Sequence, residues 1–312
     1  MRNLTVPHLR PAAFRPAGPR ALPHALDRIA ILNSSGHVPG ERTHLTSLLA
    51  GQWRASGIEV IELSGTDTFV EADLLFLNLG RAVVPEDYIR FAAQYPVTFN
   101  AGAADLRKHR YADGQLLAGS AYRGPVIVRT DNGDTPPPAQ GASPLSFLRK
   151  LNGRRAAHLR DAAVSTTRYR IYASINDVPA ENFGPGFIVQ KFLPEQDAGR
   201  FVLRQYYFLG KEHFLGVQNS GAAIIHTGTP SSLEEWTPPE KLLDLRRRLC
   251  LDYGRIDFVL VDGKPFVLSI NRAPALPQGK EPGSVPPAYI RLSEALAEAL
   301  NDTYTAMEKT VF

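Results

Sequence analysis

The feature that most constrains the fold is a change in the hydrophobic pattern after the first third of the chain. In that third, short apolar runs such as 74–79 alternate with apolar residues at helical spacing, which begin at Leu45. Farther on, apolar strands come in pairs that flank short turns at 210–211 and 262–263. The pattern predicts a mixed fold, in which a small parallel α/β domain over 28–102 is followed by antiparallel sheets.

The composition excludes several classes of protein. The chain has 312 residues, of which 44% are hydrophobic, and this length suits about two globular domains. Cys250 is the single cysteine, which excludes a disulfide framework and zinc sites built from cysteines. Its apolar neighbours predict a core thiol inside a helix. No apolar run approaches the roughly 20 residues that span a bilayer, so we expect a soluble, cytoplasmic protein.

The net charge of +4 comes entirely from the N-terminal segment. Residues 1–28 hold five arginines and one acid, so the bases and acids of the remaining chain are equal in number. Five prolines in the same segment exclude a continuous amphipathic helix. We expect residues 1–27 to form a disordered basic arm, with a transit peptide or a nucleic-acid-binding arm as the alternatives.

The C-terminal hairpin carries the strongest chemical signal. Asp257 is an acid within an apolar strand, and Asn271 ends the partner strand. Burying an unpaired carboxylate is costly, and two oxygen ligands on neighbouring strands form a half-site for Mg²⁺. A two-residue loop at 262–263 would place the two side chains on opposite faces, whereas a three-residue loop would place them on one face with Ser269. The metal hypothesis therefore predicts a loop of odd length.

Segments 254–258 (GRIDF) and 271–274 (NRAP), with the hairpin that joins them, resemble the C-terminal signature of the ATP-grasp superfamily. Members of that superfamily are carboxylate–amine and carboxylate–thiol ligases. The resemblance implies an ATP-grasp-type fold with subdomains at 103–189 and 190–312, preceded by the parallel domain. It also implies ATP and Mg²⁺ as cofactors, and small-molecule or short-peptide carboxylates and amines as substrates.

Site residues follow from the same resemblance. It implies Asp257 and Asn271 as metal ligands, and two arginines at the reacting groups, namely Arg255 and Arg204. For the nucleotide, it implies phosphate contacts from two basic residues, adenine contacts through the backbone of strand 187–193, and a ribose contact from one acid. The residues implied are Lys108 and Arg129 for the phosphates, Gln190, Lys191 and Leu193 for adenine, and Asp197 or, as a second choice, Glu195 for the ribose.

The sequence departs from the superfamily pattern at three places. Ser269 stands where a metal-bridging acid is usual, Arg129 replaces a phosphate-binding lysine, and a proline-rich loop at 131–141 replaces a glycine-rich flap. Two functions follow from this mixture. One is a ligase that activates a carboxylate as an acylphosphate and joins it to an amine. The other is a catalytically weakened or inactive nucleotide- or small-molecule-binding protein, which Ser269 favours. Nucleic-acid binding through residues 1–28 is a third and less favoured possibility.

Overall fold

Three β-sheets make up the described part of the chain. The computed structural model describes residues 26–38, 40, 43–133, 169–225, 230–277 and 284–311. The predicted arm up to residue 25 and most of the proline-rich loop lie outside these residues. Within them, no helix has the length and apolar character that crossing a membrane requires.

The first sheet is parallel and has the strand order β2-β1-β3-β4. Its two central strands are almost entirely buried, as expected for a parallel sheet covered on both faces. The predicted parallel α/β fold of this region is therefore confirmed. Its elements are β1 (Arg28–Asn33), α1 (Leu45–Ala55), β2 (Glu59–Ser64), β3 (Leu74–Asn78), α2 (Glu86–Ala92) and β4 (Val97–Phe99).

The second sheet is antiparallel and has the order β5-β8-β6-β7. Its strands are β5 (Gln115–Leu116), β6 (Val126–Thr130), β7 (Arg170–Tyr172) and β8 (Phe187–Lys191). The subdomain boundary expected between 189 and 190 falls inside β8. A short 3₁₀ turn at Lys108–Arg110 precedes this sheet.

The third sheet is also antiparallel, with the order β12-β11-β10-β13-β14, and β9 pairs with β10. Both predicted hairpins are present in it. The fold class predicted from sequence, a parallel domain followed by antiparallel sheets, is thus confirmed. The elements are β9 (Glu195–Asp197), β10 (Arg200–Leu209), β11 (Glu212–Ser220), β12 (Ser232–Glu235), α3 (Glu240–Arg248), β13 (Tyr253–Val261), β14 (Lys264–Asn271) and α4 (Pro287–Val311).

Cys250 follows helix α3 instead of lying inside it. Its φ of +52° is left-handed, and its backbone N–H donates to the carbonyl of Arg247 at 3.2 Å. The N–H of Leu251 donates to the carbonyl of Arg246 at 3.0 Å, which completes a Schellman motif. The turn leaves the cysteine exposed, so the predicted core thiol is wrong.

A polar clasp fastens the first sheet to the third. Asn100, fully buried at the end of β4, receives the N–H groups of Asp252 and Tyr253 on its side-chain oxygen, at 2.9 and 3.2 Å. Its Nδ2 donates to the Tyr253 carbonyl at 3.0 Å, and its own N–H donates to Asp252 Oδ2 at 2.6 Å. Beside the clasp, the rings of Tyr253 and Phe76 pack edge to face at 4.9 Å. The end of β4 is consequently fixed next to the start of β13 in the C-terminal hairpin.

Candidate functional site

A cavity of about 810 Å³ lies where the three sheets meet. Its walls come from the loop after β3, from β6 and β8 of the second sheet, and from β13 and β14 of the third. Eight of the eleven residues predicted for the site line it, so the fold gathers most of them around one space. They are Lys108, Arg129, Gln190, Lys191, Leu193, Arg255, Asp257 and Asn271.

The loop between β13 and β14 is even in length. Val261 pairs with Lys264, so the turn contains only Asp262 and Gly263. Their φ angles of +50° and +73° are both left-handed, as a type I′ turn requires. The odd-length loop predicted from the metal hypothesis is therefore wrong.

A β-bulge in β14 nevertheless restores the arrangement that the odd loop was meant to provide. Phe258 pairs with Val267, whereas Asp257 pairs with Ser269, so Leu268 is an extra residue in its strand. The extra residue reverses the alternation of side chains beyond it. Asp257 and Ser269 consequently share the face that lines the cavity.

The bulge is held by side chains of the second sheet. Arg129 Nη1 donates to the carbonyl of Leu268 at 2.7 Å and to Gln190 Oε1 at 3.2 Å. Gln190 is fully buried, and its Nε2 donates to the carbonyls of Val267 at 3.3 Å and Asp113 at 2.7 Å. Two residues predicted as nucleotide contacts therefore also fix the backbone of the hairpin. The expectation for Gln190 concerned only its backbone, and its side-chain contacts are a finding of the structure.

Asp257 is surrounded by hydrogen-bond donors from the hairpin. Its Oδ2 accepts from Ser269 Oγ at 2.8 Å, from Arg255 Nη2 at 3.1 Å and from Asn271 Nδ2 at 3.2 Å. Its Oδ1 lies 2.7 Å from Arg255 Nε. The carboxylate is buried, and its charge is balanced by Arg255.

Arg255 keeps its charge despite being buried. Burial alone would lower the pKa of its guanidinium, but the neighbouring charge of Asp257 raises that pKa above its ordinary value. The guanidinium carbon also lies 5.8 Å from the centre of the Tyr207 ring. The Arg255–Asp257 pair is therefore a fixed and nearly neutral unit in the wall of the cavity.

Two further arginines are buried in the cavity wall with neutral partners. Arg129, which also lies 5.6 Å from the ring centre of Tyr169, makes its hydrogen bonds to the amide and carbonyl oxygens given above. Arg272 donates to the carbonyls of Arg81, at 2.9 Å, and Ala103. Burial lowers the pKa of Arg272 to about 10, so it remains protonated at neutral pH.

No carboxylate within the described ranges lies at ion-pair distance from Arg129 or Arg272. Burying a cation without a counter-charge is costly. Both arginines line the cavity, so an anion bound there would offset that cost. Arg272 belongs to the 271–274 motif, and the sequence offered it only as an alternative to Arg255 for the ion pair with Asp257, a place that the structure gives to Arg255.

Lys108 is held at the cavity by the end of β6. Its Nζ donates to the carbonyl of Thr130 at 2.9 Å, and its N–H donates to the carbonyl of Asp131 at 3.0 Å. The Asp131 carboxylate accepts the N–H and ring Nδ1 of His109, at 2.8 and 2.6 Å. The short turn that carries the lysine is thus anchored to the strand that carries Arg129.

Three predicted residues do not line the cavity. Arg204 makes a bidentate ion pair with Glu195, with contacts of 2.6 to 3.1 Å. Glu195 also accepts the N–H of Leu260 at 2.6 Å, which ties β9 to β13. Asp197 lies at the exposed end of β9. The geometry gives Arg204 and Glu195 a partner in each other and leaves Asp197 in solvent.

The donors around Asp257 do not fit a magnesium ion. Mg²⁺ needs oxygen lone pairs directed at it, usually from one or two carboxylates together with phosphate oxygens. Here Ser269 and Asn271 direct hydrogens towards Asp257 Oδ2, and the charge of Arg255 lies 2.7 Å from Oδ1, which accepts no hydrogen bond within the described residues. Among the residues with described positions, no group of three or more His, Cys, Asp or Glu side chains could hold a metal.

No protein-family model matches the chain, and no curated protein matches it either. Solved structures to which it is similar include D-alanine–D-alanine ligase from Bacillus anthracis, at 11% identity and a TM-score of 0.47 over 91% of this chain and 99% of that one. A RimK domain ATP-grasp protein from Sphaerobacter thermophilus matches at 15% identity and a TM-score of 0.42, over 87% and 98% of the two chains. The macrocyclase MdnC from Microcystis aeruginosa, solved with the precursor peptide MdnA, matches at 12% identity and a TM-score of 0.44, over 88% and 99%. At these identities and TM-scores, the similarities assign no activity to this chain.

Proposed function

We propose that the central cavity binds the triphosphate of a nucleotide such as ATP. The observation that carries this proposal is the pair of buried arginines, Arg129 and Arg272, whose hydrogen bonds in the described structure go to neutral oxygens, with Asp105 as a more distant counter-charge to Arg272. Phosphate oxygens would supply the missing negative charge, and guanidinium groups match their geometry. Lys108, anchored beside Arg129, would bind the same phosphates.

The base would lie along the end of β8. Lys191 and Leu193 line the cavity there, together with the apolar side chains of Ile127 and Leu203. The backbone of an exposed strand end offers donors and acceptors to a base edge, while the apolar side chains pack against its faces. This placement agrees with the adenine contacts that the sequence resemblance implies.

We assign the bound nucleotide to the activation of a carboxylate. A carboxylate oxygen attacks the γ-phosphorus, the bond between that phosphorus and the β–γ bridging oxygen breaks, and ADP leaves. An amine then attacks the acyl carbon of the acylphosphate, inorganic phosphate leaves with the electrons of the C–O bond, and the nitrogen loses a proton. Arg255 and Arg272 would stabilise the charge that develops on the transferred group. The substrates would be small-molecule or short-peptide carboxylates and amines, and no step is assigned to a metal ion.

The contacts of Asp257 favour a second candidate function. Ser269 stands where the superfamily usually has a metal-bridging acid, and Asp257 is already paired with Arg255. This arrangement suits a protein that binds a nucleotide or a small molecule with little or no catalysis. Both candidates use the same cavity. They differ only in whether the bound nucleotide reacts.

Calorimetric titration with a non-hydrolysable ATP analogue tests the shared proposal. We expect binding by the wild type, and a loss of about tenfold or more in Arg129→Gln, because one buried phosphate contact is worth about 1.5–3 kcal/mol. Arg90→Gln is the matched control, because this exposed arginine lies on α2 and pairs only with Glu86. Absence of binding by the wild type would overturn the proposal.

A second measurement separates the two candidates. ADP release is followed while panels of carboxylates and amines are added to the wild-type protein with ATP. Release that needs both a carboxylate and an amine supports the ligase. Nucleotide binding without any release, across the panels, supports the binding protein.

A further inference from the structure

We infer that this cavity binds the polyphosphate of its nucleotide without a divalent cation. The inference rests on the nucleotide binding proposed above, and it is independent of whether the bound nucleotide reacts. Its starting point is the mismatch between the donor set around Asp257 and the needs of Mg²⁺.

The hairpin presents hydrogens where a metal site presents lone pairs. The Ser269 hydroxyl and the Asn271 amide nitrogen both donate to Asp257 Oδ2, so Asn271 turns its nitrogen, and not its carbonyl oxygen, towards the carboxylate. A cation binding at Oδ2 would have to break both hydrogen bonds, and at Oδ1 it would have to displace the charge of Arg255, which lies 2.7 Å away. The same hydrogen bonds lock the side chains in the arrangement that excludes the ion.

Charge balance gives the second step. A hairpin with acids at both positions 257 and 269 would repel a triphosphate. Metal ions ordinarily remove that repulsion by binding between the carboxylates and the phosphates. In this chain Ser269 is neutral, and Arg255 balances the charge of Asp257. The hairpin therefore carries no excess negative charge that a metal ion would have to offset.

The rest of the cavity supplies the positive charge. Among the described residues that line the cavity, six are basic and Asp257 is the one acid. With Arg255 set against Asp257, five basic side chains remain, and three of them, Lys108, Arg129 and Arg272, are buried, so water screens them less than it screens surface charges. A nucleotide free of metal carries more negative charge than its magnesium complex, and this cavity would bind the free form at least as well.

The test is a titration with the non-hydrolysable ATP analogue in excess EDTA and, separately, in excess Mg²⁺. For the wild type we expect affinities that agree within about threefold, a difference below 1 kcal/mol. For Ser269→Asp, which restores a second acid, we expect affinity in EDTA to fall by about tenfold or more and Mg²⁺ to recover it. Ser269→Asn is the matched control of similar size without the charge, and its binding should not depend on Mg²⁺.

Direct binding of Mn²⁺ to the nucleotide-free proteins adds a readout that does not involve the analogue. Electron paramagnetic resonance of free Mn²⁺ should show no uptake by the wild type and uptake by Ser269→Asp. Asp257→Asn covers the case in which Ser269→Asp does not fold, which thermal melting would reveal. Asp257→Asn should keep or tighten binding of the analogue in EDTA. In a metal-dependent site, the same substitution would instead weaken binding of the analogue in Mg²⁺.

Each outcome has one meaning. Wild-type binding that appears only with Mg²⁺ overturns this inference and leaves the proposed nucleotide site intact. Binding in neither condition overturns the nucleotide site itself. Loss of binding by Asp257→Asn in a folded protein also overturns the inference, because phosphate binding that needs the carboxylate is expected when a metal ion bridges the two. Equal binding in both conditions, with a Mg²⁺ requirement created by Ser269→Asp, supports it.

Discussion

Two arginine–carboxylate pairs on the third sheet show how location decides the role of similar residues. Arg204 and Glu195 join β10 to β9, with side chains that are 23% and 10% exposed. Arg255 and Asp257 lie on β13, with side chains that are 4% and 10% exposed, and they line the cavity. The resemblance of the sequence to the superfamily implied active-site roles for all four. Only the second pair faces a space in which a ligand could bind.

Breaking the two pairs in the same way should separate them most clearly. Arg255→Met leaves Asp257 buried without its cation, so we expect the free energy of unfolding to fall by about 3–5 kcal/mol. Arg204→Met leaves Glu195 with the Leu260 N–H, and because Arg204 is more exposed than Arg255, its pair is screened more strongly by water, so we expect a loss nearer about 1–2 kcal/mol. Urea denaturation measures both. If Arg255→Met lost as little unfolding free energy as Arg204→Met, the pair in the cavity would be as well solvated as the pair between β9 and β10. The two pairs would then not differ in the way described here.

A smaller effect should come from the arginine that holds the hairpin from outside it. Arg129→Lys keeps the charge but replaces a planar fork with a single ammonium, which cannot contact Leu268 and Gln190 with the same geometry. We expect a loss of about 1–2 kcal/mol in unfolding free energy and weaker binding of the ATP analogue. Arg200→Lys, at the exposed start of β10, is the control. If Arg129→Lys matched that control in stability, the bulge would not depend on Arg129.

The smallest effect concerns Asp252, whose carboxylate accepts the N–H of Asn100 just before β13. Burial raises the pKa of Asp252 above its ordinary value, although the N–H of Asn100 opposes the shift. A raised pKa means that the fold favours the protonated form, so this residue destabilises the protein as pH rises through the acidic range. We expect Asp252→Asn to gain stability relative to the wild type between about pH 4 and 7, by roughly 1 kcal/mol or less. Urea denaturation of both proteins at the two ends of this pH range checks the prediction. A lower free energy of unfolding for Asp252→Asn than for the wild type would contradict it.

Apolar periodicity was sufficient to predict the longer elements. The strands of the parallel sheet, both long hairpins and the four α-helices within the described residues all carry enough apolar residues to show their period. The strands β5, β7, β9 and β12 have only two to four residues each, which is too short for a period to show. They exist because longer neighbouring strands offer an edge with which to pair.

The site was predicted less completely, because its geometry depends on contacts between distant segments. The bulge is held by Arg129, which lies 139 positions before the carbonyl it contacts, and by Gln190, which lies 77 positions before its own. No pattern within the hairpin encodes these contacts. The pairing of Arg204 with Glu195 was missed for a related reason, since β9 was not predicted as a strand.

The two-residue turn and the bulge have a consequence for how this hairpin can vary. A three-residue loop without a bulge would pair Asp257 with Ser269 just as the present arrangement does. What the cavity requires is the separation of 14 positions between Asp257 and Asn271, wherever the extra residue is placed. Hairpins of this kind could therefore exchange a bulge for a longer loop while presenting the same side chains to their ligand.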